Sequence, residues 1–349
     1  MANSNDAVRP PNPFNPGTPV DPTDFVGRVK ELENFKQKLR QTESGSLASM
    51  AVAGGYGVGK TSFLHKCKSI AEEEGALVIY FSLSELDTLS KELLARILVE
   101  RIRDKVREEV ILQRLSQSAL EMLRKIKIRA AGVEISLAGK EEQLHPNLQS
   151  ALTAAWDAVR GDKKAIVFLI DEAAALEKNR AELILYLRAV LEQLQAERIP
   201  VMIVPAGKLS ISGPSGTGFS PLVRPFPPAL LENFTYQESK TFIEKKLRQA
   251  EIRTPESAIK IAQSVTEGHP FVLTSYLATA YDKLSTGETK LEENHFQAAD
   301  IDFVPRVLAP FFARFYDHAG KTSKEILSKM AENKGEITLT QLTEMLGKD

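Results

Sequence analysis

A chain of 349 residues that is 43% hydrophobic and 26% charged can bury a sizeable core and is too long for one minimal domain. Forty-five basic side chains against forty-six acidic ones leave a net charge of −1, which excludes a global attraction to nucleic acid or acidic lipid and leaves only local patches for such contacts. The single cysteine, Cys67, excludes an internal disulfide, and the longest unbroken apolar runs, six residues at 76–81 and 165–170, fall far short of the roughly 20 that a membrane helix needs. With no basic-then-apolar leader at the N-terminus, the expectation is a soluble, cytoplasmic, multidomain chain.

Six of the eighteen prolines lie in the first 22 residues, which reads as a tail whose later half lies extended over the body. Residues 29–41 predict a first helix, with Leu32, Phe35 and Leu39 at helical spacing. Short apolar runs at 49–53, 76–81, 165–170 and 200–205 read as strands covered on both faces. Helical patterns at 60–74, 86–125, 148–160 and 173–196 separate them, and that alternation predicts a parallel sheet in an α/β domain. Residues 126–137 break the pattern and read as a hairpin inserted before the third strand. A Ser/Gly/Pro-rich loop occupies 208–220. Beyond Phe226 the strand signal fades, and 237–249, 255–265, 271–283, 295–300 and 305–318 read as helices. The predicted organisation is a proline-rich segment 1–22, an α/β domain 23–232, a helical domain 233–304 and a helical C-terminal domain 305–349.

The sharpest signal is Gly54-Gly55-Tyr56-Gly57-Val58-Gly59-Lys60-Thr61, a full match to the phosphate-binding pattern G-x-x-x-x-G-K-[ST]. The glycines let successive amides turn inward toward phosphate oxygens, and the following helix offers its positive end and free amides, those of Ser62 included, to the same anion. Lys60 adds a charge that reaches the β- and γ-phosphates, and the Thr61 hydroxyl takes a place on Mg²⁺. A strand before and an amphipathic helix after the loop supply the context the pattern requires. The second signal is the apolar run 165–170 ending in Asp171-Glu172. A parallel strand delivers its last residues to the carboxyl edge of the sheet, where ligands bind. Asp171 there holds Mg²⁺, directly or through water, and Glu172 can orient and deprotonate an attacking water.

Phe25-Val26-Gly27-Arg28 followed by Glu31-Leu32, with the lead-in 12–20, resembles the opening of AAA+ and STAND ATPases of the archaeal-ATPase and origin-recognition-like group. Gly268-His269-Pro270 is similar to the G-x-P motif in the helical lid of STAND proteins. The resemblance covers about residues 12–282 and implies a P-loop NTPase sheet followed by an all-α lid, with ATP or ADP and Mg²⁺ as ligands. It further implies that Phe25, Val26 and Gly27 line the adenine pocket and that Pro270, with His269 near it, closes the nucleotide from the lid side. Arg224 sits about where related proteins carry an arginine finger, which would act on a neighbouring copy. The sequence departs from the pattern at 205–207, where an apolar Pro205-Ala206-Gly207 replaces the usual polar sensor; Lys208 and Ser210 stand nearby. A lid arginine of the AAA+ kind is absent near Gly268.

Residues 91–129 carry eleven basic and six acidic side chains with no aromatic, the pattern of a solvated helix face rather than of a base-stacking surface. Residues 323–347 resemble the first two helices of a winged helix, and two readings stay open there: an incomplete winged helix or a plain helical pair. The near-neutral charge from residue 305 onward gives DNA binding no support. The reading is an ATP-hydrolysing switch, with a homo-oligomer or protein partner open. The alternative is an origin-recognition-like DNA-binding ATPase.

Overall fold

The computed structural model describes residues 10–84, 89–112, 144–173, 176, 180–208, 226–332, 338 and 341. Each short apolar run forms a strand displaced by one or two residues from its sequence bounds. β1 (Ala51–Gly54), β2 (Leu77–Ser82), β3 (Ile166–Asp171) and β4 (Val201–Gly207) pair in parallel. A further strand, β5 (Pro228–Leu231), lies where the strand signal was expected to have faded. It pairs in parallel with β1, Val52 opposite Ala229, and completes the order β2-β3-β4-β1-β5.

The helices α1 (Val29–Glu43), α2 (Lys60–Glu73), α3 (Lys91–Leu112), α4 (Leu144–Val159) and α5 (Arg180–Ala196) cover the two faces of this sheet. Strand side chains alternate between the two layers. Leu77, Ile79, Phe81, Ile166, Phe168 and Ile170 pack against α3, α4 and α5. Val78, Val167, Leu169, Met202 and Val204 pack against Phe35 and Leu39 of α1 and Phe63, Leu64 and Cys67 of α2. Burial on both faces explains why the strands read as continuous apolar runs. The α3 helix starts five residues later than its apolar pattern, because Ser90 caps it through Oγ, which accepts the Leu93 amide at 3.2 Å. The hairpin expected at 126–137, the loop expected at 208–220 apart from Lys208, and the residues beyond 332 apart from Thr338 and Gln341 lie outside the described residues.

The chain divides into two compact units. The sheet unit is Gly17–Phe242 together with His269–Phe271. The other unit is Met1–Pro16, Ile243–Gly268 and Val272–Asp349. Helix α6 (Tyr236–Gln249) carries the chain from the first to the second, and α7 (Glu256–Thr266) follows it. In the second unit Tyr276 of α8 (Pro270–Tyr281) stacks near Phe296 at 5.4 Å and Phe303 at 4.7 Å. Its proline-rich arm is anchored there: Asn12 Nδ2 donates to the Ala278 carbonyl at 3.0 Å, and the Tyr281 hydroxyl donates to the Pro10 carbonyl at 3.1 Å. The separate helices expected at 295–300 and 305–318 run together. Helix α9 (Glu293–Phe303) passes through a π-helical turn, Val304–Leu308, into α10 (Ala309–His318), and α11 (Lys321–Glu332) follows. Pro305 has no amide to give the ladder, and the wide turn absorbs that loss. Among the described residues no helix is long and apolar enough to cross a membrane.

Candidate nucleotide site

β1 ends at Gly54 and α2 begins at Lys60, so five residues turn the chain from the sheet edge into a helix N-terminus. Gly57 and Gly59 adopt φ of 77° and 94°, a left-handed backbone that side chains resist. The loop is packed against its surroundings. A Cβ on Gly54 would approach the Leu231 carbonyl to 2.7 Å. The Lys60 ammonium lies in the mouth of the loop, donating to the carbonyls of Gly54 at 3.2 Å and Gly55 at 2.6 Å. Burial pulls its pKa down, and the charges of Glu172 and Asp171 act against that pull. Lys60 and the two carboxylates therefore share one electrostatic neighbourhood at the carboxyl edge of the sheet.

Asp171 is the last residue of β3 and is 4% exposed. Its Oδ1 accepts the Glu172 amide and its Oδ2 accepts the Tyr80 hydroxyl, each at 2.9 Å. Burial first, then the Asp171 charge, holds the Tyr80 phenol well above its ordinary value, so it remains a donor. Glu172 is exposed and has φ of 49°. A non-glycine residue in that conformation costs about 1–2 kcal/mol, and such outliers gather at functional sites. The turn frees the Glu172 side chain from the strand direction.

The opening motif meets the loop through Arg28. Its guanidinium, 6% exposed, donates to the Val58 carbonyl at 3.2 Å and to the Glu232 carbonyl, and lies 4.9 Å over the Phe234 ring. Its amide donates to Glu238 Oε1 at 3.0 Å. Burial lowers the Arg28 pKa, with Glu238 the main opposing charge. Arg28 thus ties the opening motif to the backbone of the phosphate loop. It was absent from the sequence-derived site residues, although a charged residue directly after Gly27 and before a helix was the signal that could have marked it. Phe25 is half-buried with its ring 6.2 Å from Phe63 of α2, and Val26 and Gly27 are half-buried beside it. Gly27 has φ of 75°, and a Cβ there would collide with the Glu238 carboxylate. Ser62, in the first turn of α2, accepts the Val20 amide at its Oγ at 3.0 Å.

His269, Pro270 and Phe271 rest on the same loop. His269 Nε2 donates to the Tyr56 carbonyl at 3.0 Å and the Phe271 amide donates to the Gly57 carbonyl at 3.1 Å. A Cβ on Gly57 would lie 2.8 Å from His269 Cε1 and 2.9 Å from Phe271 Cβ. Gly57→Ala is expected to lower both thermal stability and nucleotide affinity, the latter by about tenfold, since left-handed strain and displacement of the His269 segment add; melting curves and a nucleotide titration check it. Burial also holds the His269 imidazole below its usual value. The unfolded chain then takes up a proton that the folded chain refuses, so stability falls as pH drops through about 6.5. His269→Gln is expected to flatten that part of a melting-temperature profile. Lys208, at the end of β4, is exposed; Ser210 and Arg224 lie outside the described residues.

The donor set suits a hard, small cation. Thr61 and Asp171 offer oxygen ligands, and no group of three or more His, Cys, Asp or Glu residues that could hold a metal occurs among the described residues. Mg²⁺ is ordinarily held by one or two protein oxygens with phosphate oxygens and water completing the shell, which is what these residues fit.

The AAA ATPase domain family matches residues 24–204. An uncharacterized HTH-type transcriptional regulator of Methanocaldococcus jannaschii is 25% identical over 348 residues, covering 93% of this chain and 79% of that protein. The Walker-type ATPase of Pyrococcus abyssi superposes with a TM-score of 0.57 at 14% identity, covering 96% of this chain and 92% of that one, a likeness of fold. The Thermotoga maritima RuvB Holliday junction branch migration motor gives a TM-score of 0.49 at 16% identity, covering 95% of this chain and 85% of that one.

Proposed function

The chain belongs to the AAA ATPase domain family and is a P-loop ATPase, and from that premise we propose that it works as a STAND-type molecular switch driven by Mg²⁺-dependent ATP hydrolysis. The observation that carries the reading is the meeting of Lys60, Asp171 and Glu172 at one sheet edge, with His269–Phe271 seated on the loop beside them. Lys60 exchanges the Gly54 and Gly55 carbonyls for phosphate oxygens and stabilises the charge that develops on the transferred group. Loop amides 55–61 and the N-terminal end of α2 hold the phosphates. Glu172 orients a water in line with the γ-phosphorus and takes its proton. Thr61 and Asp171 would hold Mg²⁺, which would supply charge neutralisation for the transferred phosphoryl group. Phe25, Val26 and Gly27 face the adenine, and Pro270 with His269 closes over the nucleotide. Because His269 and Phe271 bond the Tyr56 and Gly57 carbonyls, a shift of the loop on phosphate release passes directly into the start of α8.

Steady-state phosphate release with MgATP, run beside light scattering with ATP, ADP and no nucleotide, tests the reading. Turnover that EDTA abolishes supports it, and tight ADP retention without turnover contradicts it in favour of a structural nucleotide. An ATP-dependent assembly would bring in Arg224 as a finger for a neighbouring copy. A second reading, a DNA-binding ATPase, draws on the name of the M. jannaschii relative, an HTH-type transcriptional regulator. Duplex affinity that falls steeply with salt supports it.

A further inference from the structure

The Mg²⁺ ligands proposed above come from two different elements, Thr61 on α2 and Asp171 at the end of β3, and something has to hold their spacing. A side chain that the reading above leaves idle spans the gap. Tyr80 lies on β2 opposite Leu169 of β3, two residues before the Ser82–Asp171 pair. Its ring is on the α2 side of the sheet, meeting His65 edge to face at 5.1 Å between centroids. His65 stands four residues after Thr61, on the same face of α2. The Tyr80 hydroxyl then donates to Asp171 Oδ2 at 2.9 Å. His65, Tyr80 and Asp171 thus form a bracket running from the helix of the hydroxyl ligand to the carboxylate ligand.

We propose that Tyr80 is a positioning residue that fixes the rotation of the Asp171 carboxylate, so that the carboxylate presents a lone pair to the divalent cation accompanying a bound nucleotide. The inference rests on the nucleotide-site reading. With the Glu172 amide on Oδ1 and the Tyr80 hydroxyl on Oδ2, each oxygen has one donor and keeps capacity for a cation or its water. Without the hydroxyl, Oδ2 loses its anchor and the carboxylate can swing about its bond to Cβ. Partners of this outer kind orient a ligand without touching the metal, and losing one typically weakens metal affinity about 10–100-fold. The Tyr80 hydroxyl is not there to fill the core. Tyr80 borders an open cleft of about 270 Å³ with Pro22, His65, Lys68 and Ser69, so its removal leaves no sealed void.

The test is Tyr80→Phe, which keeps the ring and its contact with His65. ADP affinity is measured by calorimetry in EDTA and across a MgCl₂ titration. ADP affinity in EDTA is expected to match the wild type, whereas the Mg²⁺ concentration for half-maximal enhancement rises about tenfold. His65→Ala, which loosens the bracket without touching Asp171, is expected to shift the Mg²⁺ response in the same direction by a smaller factor. Equal loss of affinity with and without Mg²⁺ reduces Tyr80 to packing and overturns the proposal. An unchanged Mg²⁺ response in Tyr80→Phe, beside a normal wild-type response, overturns it alone. A wild-type chain that binds no nucleotide overturns the site reading first and this inference with it.

Discussion

Replacing Lys60 with alanine is expected to remove measurable binding of ATP and ADP while the chain stays folded. The ammonium is the one point charge within the loop 54–61, and amides and glycines supply the rest. Two charge-assisted contacts to phosphate, in place of those to the Gly54 and Gly55 carbonyls, would be worth about 1.5–3 kcal/mol each, which sets the expected loss at about 10²–10⁴ in affinity. Stability without nucleotide changes little, because Lys60 is partly desolvated and its pKa is already drawn down by burial. Its acceptors Gly54 and Gly55 are half-buried and exposed, so water can satisfy their carbonyls. Melting curves without nucleotide separate this result from unfolding. An alanine variant that binds as tightly as the wild type places the phosphates elsewhere.

Glu172→Gln separates binding from chemistry. The amide keeps the shape of the carboxylate and the left-handed backbone at φ of 49°, but it cannot accept a proton from water. Turnover is expected to fall about 10²–10⁴-fold, with ATP affinity within about threefold of wild type, a difference under 1 kcal/mol. Phosphate release and nucleotide titration on the same preparation measure both. Glu172→Gly adds a contrast. It relieves the backbone strain and should raise stability by about 1 kcal/mol, yet turnover is expected to be lost, as phosphate release would show. A residue kept in a strained conformation against that gain is one whose side chain is used.

Strands β1 to β4 were legible because both faces of each are largely buried, which makes the apolar run continuous. β5 was not. It has four residues, starts at a proline that gives no amide, and pairs only with β1, so its burial alternates and no continuous run exists. The glycine-rich turn between β1 and α2 was legible from its pattern, since that pattern is local in sequence. The contacts that assemble the rest are long-range. His269 reaches Tyr56 across 213 positions and Arg28 reaches Val58 across 30. The motifs Gly268-His269-Pro270 and Gly27-Arg28 could be noticed in the sequence, but that both act on the backbone of one loop required the fold. Tyr80 was hidden for a different reason. It sits inside the apolar run 76–81 and reads as core, and only the strand register directs its hydroxyl to Asp171. The merging of α9 and α10 through a π-helical turn was equally closed to sequence reading, since Pro305 signals a break there.

On the proposed reading, an adenine nucleotide with Mg²⁺ is held where the glycine turn meets the acidic end of β3. Titrating ADP with MgCl₂ into the folded wild-type chain by calorimetry tests it most directly. The expected result is a saturable heat with one nucleotide per chain, weakened by EDTA and lost in Lys60→Ala. A flat titration of well-folded protein, or binding that Lys60→Ala leaves intact, would contradict it.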